Sequence, residues 1–412
     1  MKMNHDWDYK GLHKEGIHTL GKYPAMMVPK MQLDLLKKFV DNDISQNKVL
    51  LDPFMGSGTA IVEARKIGMR TMGIDINPYA VLLTKVKTHD YSDLSVDSIV
   101  GNFIKNIDNS KFDQPLWYFD NMDKWFRKDI ILSLNHIRNA IMNEKELWIR
   151  RFLWVCMSEI IYEYSNDRTS TFKLHVKTQE QIENIKNNAI NDFKNIVLKK
   201  SKILCRKSYP KSMIYFGDTY HICSSFKEKS IDIICTSPPY GDNATTVTYG
   251  QSSILFLKWI NIEDIDNKIK SEILKYYTRI DRLSLGGEER EEEKYNSKLL
   301  DNYLSSINEK KQKKVIRFIN DYWNVIKELS RIIKNDGTII FTVGNRKVDG
   351  KEQPLDKLTV EMFKKLNIEL IYSSYRQILN KKMPKRLSHI NHIGSVDSMN
   401  KEKVLVFKNR SK

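Results

Sequence analysis

The chain has 412 residues, 41% of them hydrophobic, enough for one large core or for a catalytic core carrying a sizeable insertion. Its formal net charge of +17 suits an acidic polymer as partner, because each phosphate contact releases condensed counterions, and suits equally a soluble protein from a Lys-rich proteome. Four cysteines without a CxxC pair or zinc spacing, an N-terminus without an apolar leader, and no apolar run of transmembrane length set aside zinc, secreted and membrane classes; a cytosolic chain with free thiols, no metal and no membrane partner is expected.

Along the chain, residues 26–42 carry apolar positions at helical spacing. The apolar run 49–51 then reads as a strand, DPFMGSGTA as a glycine-rich turn, IVEARK as a helix, and TMGIDINP as a strand ending in an acid. This β–turn–α–β unit opens a doubly wound nucleotide-binding sheet. Residues 91–210 lose the β/α rhythm and read as mostly helical, rich in aromatic and charged residues. Strands return at MIYFGD (213–218) and IDIICTSPPY (231–240), followed by a second, charged and helical interruption over about 250–315 that includes GGEEREEEKY. A long helix, VIRFINDYWNVIKELSRIIKNDG, is predicted to close at Asp336-Gly337, with TIIFTVGN as the next strand. TVEMFKKLN, IELIYSSYRQIL and KVLVFKN supply a further helix and two strands. The organisation expected is one α/β core (1–90, 211–249 and 316–412) interrupted by insertions at 91–210 and 250–315.

Two turns carry the chemistry. In the first, Asp52, Pro53, Phe54, Gly56, Ser57, Gly58 and Thr59 stand where a strand meets a helix, and the glycines let backbone approach a ligand closely. No Gly-Lys-Ser/Thr follows, so it is not a P-loop, and Ile61 holds the place of the third dinucleotide glycine. Asp75, closing the next strand, suits ribose hydroxyls; a helix cap before Asn77-Pro78 is its structural alternative. Asp52 is placed to meet the positive end of a ligand such as an amino group.

In the second, Ser237, Pro238, Pro239 and Tyr240 end an apolar strand. Prolines lack backbone donors and restrict the chain, leaving carbonyls rigidly aimed. An exocyclic amine on a nucleobase is a poor nucleophile, because its lone pair is delocalised into the ring. The Ser237 oxygen and the Pro238 carbonyl, gripping its two hydrogens, would localise that pair, while Tyr240 stacks on an extruded base. An ordinary Pro-Pro turn with a packing tyrosine is the structural alternative.

Together, DPFMGSGTA and TSPPY resemble the amino-group DNA methyltransferases of the Ser-Pro-Pro-Tyr, cytosine-N4 type. The resemblance implies a Rossmann-like, seven-stranded, mostly parallel α/β sheet of the class I methyltransferases and S-adenosyl-L-methionine as cofactor. It implies that Lys22, Tyr23 and Pro24, in GKYPAMMVP, help hold the cofactor's methionine end, that Asp75 and Ile76 bind the ribose, and that Asp218, in FGDTYHI, contacts the adenine. It implies site-specific methylation of cytosine N4 in duplex DNA, and leaves open a cognate restriction endonuclease as functional partner or an enzyme that acts alone. The cofactor turn precedes the catalytic turn, the reverse of many cytosine-N4 enzymes, so either insertion is a candidate for target recognition. SNDRTSTFKLHVK (165–177) and the basic YRQILNKKMPKR (375–386) are further candidate DNA contacts. Adenine N6, an RNA base, or a non-catalytic nucleic-acid-binding role remain alternatives; adenine enzymes more often carry Asp or Asn at the position of Ser237. Carbon-5 methylation is set aside, since no cysteine follows a proline.

Overall fold

The computed structural model describes residues 7–9, 11–40, 48–109, 116–169, 173–242, 246–287, 293–378, 386–390, 394–397 and 401–410. Seven strands form the main sheet, labelled in chain order: β1 Val49–Asp52, β2 Arg70–Asp75, β3 Ser212–Phe216, β4 Ile231–Thr236, β5 Ile333–Gly344, β6 Ile368–Gln377 and β7 Lys401–Asn409. Their spatial order is β3-β2-β1-β4-β5-β7-β6. Neighbours from β3 through β5 pair in parallel, and β7 runs antiparallel to both β5 and β6. This is the mostly parallel seven-stranded sheet expected of the class I methyltransferase architecture. Two short two-stranded ribbons stand outside it.

The strands read as unbroken apolar runs because both sheet faces are covered, and successive side chains serve opposite cores. Leu50, Ile233, Cys235, Ile340, Val404 and Val406 join one buried cluster. Leu51, Ile234, Ile339, Phe341, Leu405 and Phe407 join the other. Helices Pro29–Phe39, Thr59–Lys66 and Pro78–Thr88 cover the first face. Helices Glu309–Ile332 and Leu355–Lys365 cover the second. The longer of these two buries Val315, Phe318, Ile319, Tyr322, Ile326 and Leu329, the stripe that a 3.6-residue period lays along one side.

Residues 91–210 hold helices and, among those described, no sheet strand. Their apolar side chains are continuous with the first-face core. Helix Leu147–Tyr164 packs on Pro78–Thr88, where Tyr79 and Ser158 share a 2.6 Å hydrogen bond. In 250–315 the described elements are short, apart from the apolar helix Tyr249–Trp259 and the start of helix Glu309–Ile332.

One boundary differs from expectation. The long helix starts at Glu309 and ends at Ile332, four residues before Asp336. The chain enters β5 directly at Ile333, and its register against β4 shifts between Ile231 and Ile233. Asp336 takes φ +55° within that irregularity. The Asp-Gly pair therefore shapes a bulge in the strand rather than a helix stop. Of the other segments singled out, 170–172, 288–292 and 379–385 lie outside the described residues.

Candidate active site

Strand order reverses between β1 and β4, and the crevice at the carboxyl ends of the strands flanking such a point is where open α/β sheets bind ligands. Asp52 ends β1, Asp75 ends β2 and Thr236 ends β4. The glycine turn and the Ser-Pro-Pro-Tyr turn thus leave the sheet at adjacent strands. Thr236 joins them: its hydroxyl donates to Asp52 Oδ1 at 2.6 Å.

Gly58 sits at φ +73° and caps helix Thr59–Lys66. A Cβ there would lie 2.6 Å from Thr84 Oγ1, so glycine answers to both conformation and close packing. Gly56, at φ +48°, faces Tyr23, whose ring carbon would lie 3.3 Å from an added Cβ. Gly56 N–H donates to Asp75 Oδ2, and Asn77 N–H donates to Asp75 Oδ1, both at 2.8 Å. Asn77 itself caps helix Pro78–Thr88 by accepting from Tyr79 N–H, so the cap belongs to Asn77 and Asp75 braces the turn. Ser57 and Thr59 are buried and share a hydroxyl contact at 3.3 Å. Behind the turn, buried Lys87 donates to the Ser57 carbonyl at 2.9 Å, and burial lowers its pKa to about 7.

Burial pushes the Asp52 pKa up to about 7 and that of Asp75 to about 6, against hydrogen bonds that pull each down. Two carboxyls poised this way, one beside a glycine cradle and one at its rim, suit a ligand that brings a cationic amino group and hydroxyl donors. S-adenosylmethionine has both, so the residues present fit that cofactor.

The other candidate cofactor residues surround this turn unevenly. Tyr23 stacks on Tyr249, with ring centroids 5.6 Å apart, and burial raises the pKa of both hydroxyls. Pro24 is half-buried beside it. The Lys22 ammonium lies 4.4 Å over the Tyr162 ring, directed at the helical insertion. Pro53 is buried, and its carbonyl accepts from Thr219 Oγ1 at 2.6 Å. Phe54 packs against the second-face core, and Ile76 is half-buried between Asp75 and Asn77. Asp218 caps helix Thr219–Ser224 by accepting from His221 N–H at 3.2 Å. The preceding Gly217 N–H donates to the Asp75 carbonyl, which sets Asp218 beside the end of β2.

In the second turn Pro238 is buried, while Ser237, Pro239 and Tyr240 are half-buried. Ser237 Oγ and the Tyr240 hydroxyl stand 2.9 Å apart. The tyrosine hydroxyl donates to Glu402 Oε1 at 2.9 Å, and Glu402 Oε2 lies 3.1 Å from Arg376 Nε. Downstream, buried Asp242 pairs with Arg346 at 3.0 Å, and a Cβ on Gly241 would collide with that guanidinium at 2.4 Å.

Sequence reasoning missed Thr236, Asn77, Tyr249, Glu402, Arg376 and Lys87. Thr236 and Asn77 adjoin the motifs and were within reach. Glu402 comes from β7 and Arg376 from the neighbouring edge strand β6, far from the motifs in the chain; Arg376 stands in the basic stretch 375–386 expected to touch DNA, yet it is buried and paired with Glu402. Among the described residues no cluster suits a metal ion and no helix is long and apolar enough to cross a membrane.

A sequence model of the DNA methylase family matches residues 3–86. Type II methyltransferase M.MvaI from Kocuria varians is 32% identical, the match covering 99% of this chain and 95% of that protein. Type II methyltransferase M.BsoBI from Geobacillus stearothermophilus is 20% identical over 86% of this chain and 79% of its own. Among solved structures, a SAM-dependent methyltransferase from Methanosarcina mazei aligns over 92% of this chain and 98% of its own, at 9% identity and a TM-score of 0.33.

Proposed function

Given that this chain belongs to the Type II methyltransferases of the amino-group DNA methyltransferase family, with S-adenosyl-L-methionine as methyl donor, we propose that its acceptor is the N4 amine of cytosine in duplex DNA. The observation that carries the reading is the Ser237–Tyr240 turn at the end of β4, tied through Thr236 to Asp52 of the glycine turn. A serine, where adenine enzymes of the family more often carry Asp or Asn, is what favours cytosine.

Bound S-adenosylmethionine supplies an electrophilic sulfonium methyl group. On the protein's side, Ser237 Oγ and the Pro238 carbonyl accept from the two amine hydrogens and localise the lone pair. Tyr240, held by its hydroxyl, offers its ring to the extruded base. Asp52 would meet the amino group of the donor, Asp75 and Ile76 its ribose, and Asp218 its adenine; Tyr23, against Gly56, would help hold the methionine end together with Pro24 and Lys22 of the same segment, although the Lys22 ammonium itself lies over Tyr162. Water exclusion and orientation do the rest, and no metal is needed.

Target recognition falls to the insertions. Support comes from exposed aromatic side chains where they meet, Trp117 and Tyr118, with half-buried Arg138 4.1 Å over the Trp117 ring and Trp117 Nε1 donating to the Lys258 carbonyl. Exposed flat side chains suit base contacts. The Type II relatives support a place beside a cognate restriction endonuclease, in the cytoplasm where the genome lies.

Ser237→Ala and Asp75→Ala separate the two halves of the site. The first is expected to lower turnover about ten- to a hundredfold with cofactor affinity unchanged, the loss of one acceptor in the transition state. The second is expected to weaken cofactor binding, read by calorimetry. Full turnover in Ser237→Ala contradicts the catalytic assignment, and unchanged affinity in Asp75→Ala contradicts the ribose assignment.

A further inference from the structure

We infer that Glu402 is a positioning residue that sets the hydrogen-bond polarity of Ser237, so that the serine oxygen meets the target amine only as an acceptor. The inference rests on the reading of Ser237–Tyr240 as the catalytic turn. Its argument is a count of hydrogens. The Tyr240 hydroxyl has one hydrogen and two polar neighbours, Glu402 Oε1 and Ser237 Oγ, each at 2.9 Å. Glu402 stands opposite Arg376 in the β6–β7 register, its Oε2 3.1 Å from Arg376 Nε in an ion pair that lacks hydrogen-bond alignment. A carboxylate beside a guanidinium has acceptor oxygens and no hydrogen to give. The tyrosine must therefore donate to Glu402, and it turns a lone pair toward Ser237. The serine, in turn, spends its single hydrogen on the tyrosine. What remains on Ser237 Oγ is lone-pair density alone.

That polarity is what the proposed chemistry requires. An exocyclic NH₂ arrives with two donors. A serine free to rotate offers its own hydrogen part of the time, setting donor against donor. A chain of hydroxyls ending on an acceptor-only group removes that state before substrate arrives, and such preorganisation avoids reorganisation at the moment of reaction. The anchor is also out of solvent: Arg376 is 8% exposed and Glu402 13%.

The test uses the full-length protein, with steady-state methylation of duplex DNA, cofactor affinity by calorimetry and thermal melting. Glu402→Gln replaces an acceptor-only group by an amide that can also donate, so the polarity is released. Turnover is expected to fall about tenfold while the DNA KM and the cofactor Kd stay near wild type. Tyr240→Phe cuts the chain in its middle, and adding Glu402→Gln to it is expected to cause no further loss. Additive losses in the double variant, or wild-type turnover in Glu402→Gln, overturn the inference. If Glu402→Gln melts early because Arg376 is left unpaired, Glu402→Gln with Arg376→Gln removes both charges and carries the same comparison. Wild-type protein that methylates no DNA, or Ser237→Ala at full turnover, defeats the functional reading itself; Ser237→Ala impaired with Glu402→Gln normal defeats only this inference.

Discussion

At the scale of single residues, Asp52 carries the sharpest consequence. Burial holds its pKa near 7, with Asp75 nearby adding to the rise and the Thr236 and Phe54 hydrogen bonds opposing it. A carboxyl that keeps its proton more tightly folded than unfolded stabilises the fold below its unfolded pKa. It forfeits that contribution as pH climbs through about 7. Cofactor binding has the opposite sign. On the proposed pairing of Asp52 with the donor's amino group, the cation favours the ionised carboxylate, so affinity for S-adenosylmethionine is predicted to tighten as pH rises through about 7 while the amino group keeps its proton. Asp52→Asn is predicted to bind more weakly at pH 8 and to lose most of that pH dependence; calorimetry at pH 6 and pH 8 decides it. The residue was legible in the sequence as an acid beside a glycine turn. Its protonation was not, because the burial that raises the pKa is supplied by strands brought in from elsewhere.

Among elements, the contact between helix Leu147–Tyr164 and the short turn Ile262–Asp264 shows how the two insertions hold together. Asp264 is 3% exposed and takes the Arg150 fork at 2.8 and 3.0 Å and the buried Trp154 Nε1 at 2.7 Å. Asp264→Ala leaves an indole N–H and a guanidinium without their acceptor. A loss of about 2–4 kcal/mol in urea unfolding is predicted. A loss under about 0.5 kcal/mol, the range of an ordinary surface change, would show that the contact does not bind the insertions. Four helices of the core and all seven strands announced themselves through apolar period and turn chemistry, while the insertions showed only a general helical character. The end of helix Glu309–Ile332 did not, because Asp-Gly serves strand bulges as readily as helix stops and only the β4 register distinguishes them.

Across the whole molecule, the two turns meet because strand order reverses between β1 and β4; local signals marked each turn, but only the resemblance to a family joined them. The placement of residues 91–210 was not legible. An apolar helix face states that it is buried, not against what, and here the insertion extends the core over one face of the sheet. The same limit hid Glu402 and Arg376, whose partnership exists only once β6 and β7 pair at the sheet edge. A protein of net charge +17 with such a crevice is built to meet a polyanion. The most direct test of the acceptor assignment is methyl transfer from labelled S-adenosylmethionine to unmethylated duplex DNA, followed by mass spectrometry of the released nucleosides. N4-methylcytosine is the result predicted; N6-methyladenine, or label appearing in RNA and not in DNA, would contradict it.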